Sequence, residues 1–189
     1  MERELTAKEQ QDILDRDPQY QAMMAIRRRE WAEKAAAARA DEQPLVAALT
    51  AAGWPTSVSQ CGEWRSVWDL VNTAEPYPHL IDVLLEHLRQ PYLKRTREGI
   101  VRALAVREAK STSIPRVLMD ELKVEDDPTD GPNSYRWALI NTLISIGDSS
   151  IADDVQRLLI DSRYESVRPH LQRLAKAITP RSRRKSAGK

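Results

Sequence analysis

The 189-residue sequence contains no phenylalanine, a single cysteine and only six glycines. Because Cys61 has no second cysteine to pair with, an intrachain disulfide is excluded, which fits a reducing compartment. The first residues are polar and acidic and contain no apolar signal core. No apolar run is long enough to cross a bilayer. We therefore expect a cytoplasmic protein that does not enter the membrane.

The sequence also lacks the usual signatures of catalysis. It contains no nucleophile elbow, no HExxH pair, no Walker loop and no Rossmann glycines. The three histidines, His79, His87 and His170, are not spaced as metal ligands, and Cys61 has no partner near it in the sequence. We therefore expect a protein that is not an enzyme and holds no metal or cofactor.

The composition favours a folded, all-α protein. Apolar residues make up 41% of the chain and charged residues 30%, which is typical of a globular domain rather than of a disordered chain. Good helix formers such as Ala, Leu, Arg and Glu are plentiful, whereas alternating runs of β-branched residues are hard to find.

Apolar residues recur at helical spacing in three related segments. Leu80–Leu88 reads LIDVLLEHL, Ile114–Leu122 reads IPRVLMDEL, and IADDVQRLL begins at Ile151, so the offsets are 34 and 37 residues. Each segment is followed by a second predicted helix that begins near an arginine and continues with apolar residues. These arginines are Arg97, Arg136 and Arg168. Three copies of a two-helix unit at this period indicate stacked helical repeats.

The middle copy contains the best-formed of these helices, SYRWALINTLISIGD at Ser134–Asp148. Its apolar residues fall on one face, and we expect Gly147 to end the helix. A shorter helix over Leu45–Gly53, LVAALTAAG, is expected to end at Gly53 in the same way.

The paired segments resemble HEAT-like repeats of the short bacterial, armadillo-type class. The strings that carry the resemblance are PHLIDVLLEHL with TREGIVRALAV, SIPRVLMDEL with YRWALINTLISIGD, and SIADDVQRLL with SVRPHLQRLAKAI. The resemblance implies an α-solenoid of about four helical hairpins whose second helices line the concave side. Armadillo-like and tetratricopeptide-like stacks have similar periods and remain alternatives.

Three regions are predicted along the chain. Residues 1–43 form a helical extension, either a cap or an arm, with start signals at Thr6 and at Asp17 before Pro18. Pro44 is expected to break the helix, and residues 44–179 form the repeat domain. Residues 180–189 form a basic, disordered tail.

The second helices carry the residues that we expect to bind a partner. The repeated arginines are expected to be structural, tying neighbouring loops through their guanidinium groups. Residues on the solvent side of the same helices combine an aromatic ring, charges and an amide, as interaction hot spots do. The predicted partner-binding residues are Glu98, Arg102, Trp137, Asn141 and Arg173. Packing of Trp137 between repeats is the alternative to its exposure.

The net charge of +1 is unevenly distributed. Five positive charges lie in the tail, so the rest of the chain carries about −4. Residues Lys94–Arg116 are basic, whereas the following loop is acidic.

We predict a non-catalytic protein-binding module or scaffold, with a regulatory or immunity-type role. The alternative is a nucleic-acid-binding protein related to HEAT-like DNA alkylation-repair glycosylases, with phosphates contacted by the tail and Lys94–Arg116. An enzyme of the HEAT-like chromophore-lyase kind is a third hypothesis, for which no residue set is found.

Overall fold

The computed structural model describes residues 6–54, 66–110, 113–124 and 135–179, with the backbone alone for 9–13. Cys61, the acidic loop at 125–133 and the basic tail at 180–189 lie outside the described residues. Within the described ranges the regular structure is entirely helical, and no strand occurs there. The predicted all-α class is therefore confirmed.

The chain divides into two compact units, Met1–Ala40 and Asp41–Lys189. The first contains helix α1 (Ala7–Arg16) and the start of helix α2 (Pro18–Ala51). Asp17 caps α2 as predicted, because its Oδ1 accepts a hydrogen bond of 2.8 Å from the backbone N–H of Gln19.

Helix α2 continues through Pro44, so the predicted break there is wrong. Proline removes one backbone hydrogen bond and strains the preceding turn, at a cost of roughly 3 kcal/mol. Burial of Leu45 and Leu49 on the following turns offsets this cost. The end of α2 agrees with the prediction: Gly53 has a left-handed φ of 93°. The N–H of Trp54 then bonds the carbonyl of Leu49 at 2.9 Å, as in a Schellman motif.

The second unit contains the remaining helices of the described chain, and they match the predicted first and second helices of the repeats. Short 3₁₀ turns precede α4, α8 and α9. The helices are α3 (Val67–Val71), α4 (Ile81–Leu88), α5 (Lys94–Ala103), α6 (Ile114–Val124), α7 (Tyr135–Ile146), α8 (Ala152–Ile160) and α9 (Arg168–Ile178).

Helices α3, α5, α7 and α9 pack against one another in that order, and α4, α6 and α8 pack against α5, α7 and α9 respectively. The equivalent apolar positions of the three copies are all buried in one core. On the first helices these are Leu84, Leu118 and Val155, and on the second helices Ile100, Leu139 and Leu171. No copy could bury its apolar stripe alone, so the core depends on contacts between copies.

Helix α7 ends at Ile146, directly before Gly147, which agrees with the predicted stop. Gly147 does not adopt the left-handed conformation that the prediction implied, since among the described glycines only Gly53 has a positive φ. The glycine is needed for space instead. Its N–H bonds the carbonyl of Leu143 at 2.7 Å, and a Cβ on Gly147 would overlap that carbonyl oxygen.

Two consecutive acidic residues of α2 cap two other helices. Asp41 accepts hydrogen bonds from the N–H of Leu93 at 3.0 Å and from the hydroxyl of Thr96 at 2.7 Å, at the start of α5. Glu42 is buried and accepts from the N–H of Val67 at 2.6 Å and from the Ser66 hydroxyl at 2.9 Å, at the start of α3. These carboxylates satisfy donors that a helix cannot satisfy by itself.

Helices α6 and α8 are joined by ion pairs to Asp154, whose side chain is only 7% exposed. Its carboxylate lies 2.6 Å from Arg116 Nη1, 3.0 Å from Lys123 Nζ and 3.6 Å from Arg157 Nη1. The hydrogen bond from Lys123, together with the surrounding positive charges, holds the pKa of Asp154 below its ordinary value. The first helices of consecutive copies are thus linked electrostatically as well as through the core.

Candidate functional site

Two of the repeated arginines, Arg97 and Arg136, form joints between consecutive copies. The Arg97 guanidinium lies 4.7 Å from the ring centroid of Tyr135 and pairs with Glu121. The Tyr135 hydroxyl donates to the same carboxylate at 3.2 Å. A planar guanidinium can bond in its plane and stack on a ring at the same time, which suits it to this position.

The next joint repeats this arrangement. Arg136 is 5% exposed, lies 4.8 Å from the centroid of Tyr164 and donates to the carbonyl of Arg163 at 3.1 Å. The Tyr164 hydroxyl in turn donates to the carbonyl of Leu122 at 3.0 Å. The third arginine, Arg168, pairs with Glu165 at 3.8 Å. These contacts agree with a structural role for the arginines rather than with an anion-binding row.

A second set of side chains lies across the exposed sides of the same helices. The Arg102 guanidinium carbon is 5.1 Å from the ring centroid of Trp137 on α7 and 5.7 Å from that of Trp68 on α3. Both distances are within the range of a cation–π contact. Glu98, one turn earlier on α5, accepts from Arg102 Nε at 2.8 Å. The ring of His170 on α9 meets Trp137 edge-on, with centroids 6.1 Å apart.

We call Trp68, Glu98, Arg102, Trp137 and His170 the tryptophan–arginine cluster. It spans four neighbouring helices, and each member is partly exposed. The Glu98 carboxylate fixes the arginine between the two indoles, so the cluster is already ordered before any partner arrives.

The structure brings together most of the residues predicted to bind a partner. Glu98, Arg102 and Trp137 are in direct contact, and Asn141 donates to the carbonyl of Trp137 at 3.0 Å. Arg173 is exposed one turn beyond His170 on α9 and lies outside the cluster. Trp137 is half-buried, so each of the two alternatives for this residue describes part of its environment.

Sequence reasoning missed Trp68 and His170. Trp54, Trp64 and Trp68 cluster in an irregular first hairpin, a degenerate copy of the two-helix unit, and the sequence therefore favours a core position for all three. Trp64 lies outside the described residues. Trp54 is indeed buried, at 7% exposure, but Trp68 is half-buried against Arg102. Placing Trp68 beside the second helices would require knowing which face of α3 packs against them. The degenerate sequence of the first copy does not indicate that face.

A cavity of about 490 Å³ opens beside Arg102. Its wall includes Asn141 and Thr142 of α7, and two acidic residues, Glu75 and Glu108, line it from neighbouring loops. Tyr77 also lines the cavity and donates its hydroxyl proton to the carbonyl of Ala103 at 2.8 Å. Burial, with a smaller contribution from the Glu108 charge, raises the pKa of Tyr77 to about 12. Tyr77 is therefore a fixed wall of the cavity and stays protonated at neutral pH.

Three of the basic residues in Lys94–Arg116 are held in ion pairs. Arg97 pairs with Glu121, Arg102 with Glu98, and Arg116 with Asp154. Each pair joins or lies within the helices of the repeat unit. The cations expected to contact phosphates in the nucleic-acid alternative are thus partly neutralised by neighbouring carboxylates.

Among the described residues, no group of three or more His, Cys, Asp or Glu side chains is arranged to hold a metal ion. None of the described helices combines the length and the apolar character that a membrane span requires.

Comparisons of the chain with protein-family models, with curated proteins and with solved structures gave no significant match. The resemblance to HEAT-like repeats therefore stays a prediction.

Proposed function

We propose that this chain is a non-catalytic binding module that captures another protein on the second helices of a HEAT-like solenoid. The consecutive packing of α3, α5, α7 and α9, each of the last three paired with a first helix, supports a stack of this kind. A regulatory or immunity-type scaffold in the cytoplasm is the role that fits such a module best.

The observation that carries the proposal is the position of Arg102 between Trp68 and Trp137. Tryptophan and arginine are the residues most enriched among those that dominate binding energy at protein interfaces. Here the three side chains are partly exposed on neighbouring helices, and Glu98 holds Arg102 in place. Because little side-chain freedom remains to be lost, a partner that covers the cluster would gain affinity at a small entropic cost.

The cavity next to the cluster supports the same surface. A volume of about 490 Å³ can accept one or two side chains of a partner, with apolar walls from Leu70, Val106 and Ala138. A cluster beside a cavity gives a partner both an aromatic surface to cover and a recess to fill.

Affinity capture with the full tagged chain from the lysate of its native host tests the proposal. We expect one protein to be recovered in near-stoichiometric amount by the wild type. Trp137→Ala should reduce its recovery by about tenfold or more, which is the size of effect that hot-spot residues produce. Ile160→Ala is the matched control, because Ile160 is 85% exposed on α8, a first helix.

Far-UV circular dichroism and thermal unfolding of all three proteins show whether a loss of recovery reflects a loss of folding. A partner retained equally by Trp137→Ala and by the wild type would refute the proposed surface. Failure to recover any protein at substantial abundance would refute the proposed function.

A further inference from the structure

The charges of the repeat unit are segregated between the two sets of helices. Helices α5, α7 and α9 carry four, one and three Lys or Arg residues, eight in all, and Glu98 is their only acidic residue. Helices α4, α6 and α8 carry two acidic residues each, six in all, against two basic residues on α6 and one on α8. The second helices thus have a net charge of +7 and the first helices −3.

Part of the positive charge on the second helices is used inside the fold. Arg97 and Arg136 form the joints, and Arg102 is neutralised by Glu98. The exposed basic side chains on these helices are Lys94, Arg95, Arg173 and Lys176. They lie on α5 and α9, on either side of Trp137, so a molecule covering the cluster would face positive charge from both flanks.

We infer that the partner presents an acidic protein segment to this surface, with carboxylates opposite α5 and α9 and an apolar or aromatic side chain over Trp137. The inference rests on the proposed function and assigns the chemistry of the partner. Like-signed charges on neighbouring helices add to a common field, which attracts an oppositely charged partner and disfavours a basic one.

The acidic residues at one end of the surface favour a protein over a nucleic acid. A phosphate backbone following the surface past Arg102 would reach the cavity, where Glu75 and Glu108 line the wall. It would also pass Glu98 beside the indoles. A phosphate chain carries negative charge at every step, whereas a polypeptide can place an uncharged or basic residue opposite these carboxylates.

The test measures the binding of charge-matched probes to the full chain by amide NMR titration. The acidic probe is a blocked hexaglutamate peptide, and the nucleic-acid probe is a heptathymidylate, which has the same number of negative charges. We expect hexaglutamate to shift resonances of α5, α7 and α9. The shifts should weaken as salt is raised from about 50 mM to about 200 mM, because the Debye length shortens.

Matched charge reversals test whether these cations are responsible. Arg95→Glu with Arg173→Glu should weaken hexaglutamate binding by about fivefold or more. Arg89→Glu with Arg157→Glu makes the same change in net charge at exposed positions at the end of α4 and on α8, which are first helices, and should weaken it by less than about twofold.

Three results would overturn the inference. These are shifts confined to the tail at 180–189, equal weakening by both double variants, and tighter binding of heptathymidylate than of hexaglutamate on the same helices. Each differs from failure of the proposed function, because capture of a protein through Trp137 does not depend on whether that protein is acidic.

Discussion

Substitution of Glu42 offers the sharpest test of how the second unit is held together. The carboxylate accepts from the Val67 N–H at 2.6 Å and from the Ser66 hydroxyl at 2.9 Å, and it is buried. In Glu42→Ala both donors lose this acceptor. A buried donor left without a partner costs about 1–3 kcal/mol, and part of this cost is offset because the buried charge is removed. We expect the free energy of unfolding to fall by about 2–3 kcal/mol.

Glu42→Gln separates the capping role from the charge. The amide keeps one oxygen to accept from Val67 and gains a group that can donate to Ser66 Oγ, so the free energy of unfolding should stay within about 1 kcal/mol of the wild type at neutral pH. Burial raises the pKa of Glu42, and hydrogen bonds from Val67 and Ser66 oppose the rise. A carboxyl group whose pKa is higher in the folded state favours folding most below its unfolded pKa of about 4.3. The stability of the wild type relative to Glu42→Gln should therefore decline as pH rises through the folded-state pKa.

Urea unfolding followed by far-UV circular dichroism, at several pH values between about 4 and about 7.5, measures both effects. Glu86→Ala is the matched control, because Glu86 is an exposed residue of α4, and it should change the unfolding free energy by less than about 0.5 kcal/mol. Equal stabilities for Glu42→Ala and Glu42→Gln would refute the capping argument. A stability difference between wild type and Glu42→Gln that grows with pH would refute the charge argument.

Two further substitutions test other contacts of the same unit. Asp154→Asn should lower the unfolding free energy by about 1 kcal/mol near pH 7. The lowered pKa of Asp154 means that this contribution is fully present above the unfolded pKa and is lost as pH falls through the folded-state pKa, so the difference measured by urea unfolding should shrink as the pH is lowered. Gly99→Ala should lower the unfolding free energy by about 1 kcal/mol or more despite the better helix propensity of alanine, because its Cβ would overlap Val67 Cγ1. In a Val67→Ala background the Gly99→Ala cost should largely disappear from thermal unfolding, and a cost that persists would contradict this account.

The repeat helices could be predicted from the sequence because their signal is local. Leu84, Leu118 and Val155 occupy equivalent positions in segments offset by 34 and 37 residues, and each belongs to an apolar stripe with helical spacing. Burial of such a stripe needs a neighbouring copy, so the same pattern predicts both the helices and their contacts. The direct contact of Arg102 with Trp137 was not itself predicted, although both residues were assigned to the same surface.

The features that were missed depend on contacts distant in the sequence. Asp41 caps α5 across 52 residues and Glu42 caps α3 across 25, and no local pattern marks either acid as a cap. The continuation of α2 through Pro44 has the same cause, since burial of Leu45 and Leu49 outweighs a local penalty. For Gly147 the local rule gave the right helix end but the wrong reason, because the carbonyl of Leu143 excludes a side chain there.

Neighbouring residues on the second helices serve different surfaces, which lets the fold and the proposed binding site be altered separately. Successive residues of a helix point about 100° apart. Arg136 therefore enters the joint with Tyr164, while the next residue, Trp137, meets Arg102 on the exposed side. The same relation holds on α5, where Arg97 forms a joint and Glu98 orders the cluster. Substitutions at the exposed positions should thus change the partner that is bound while the joints that hold consecutive copies together stay intact.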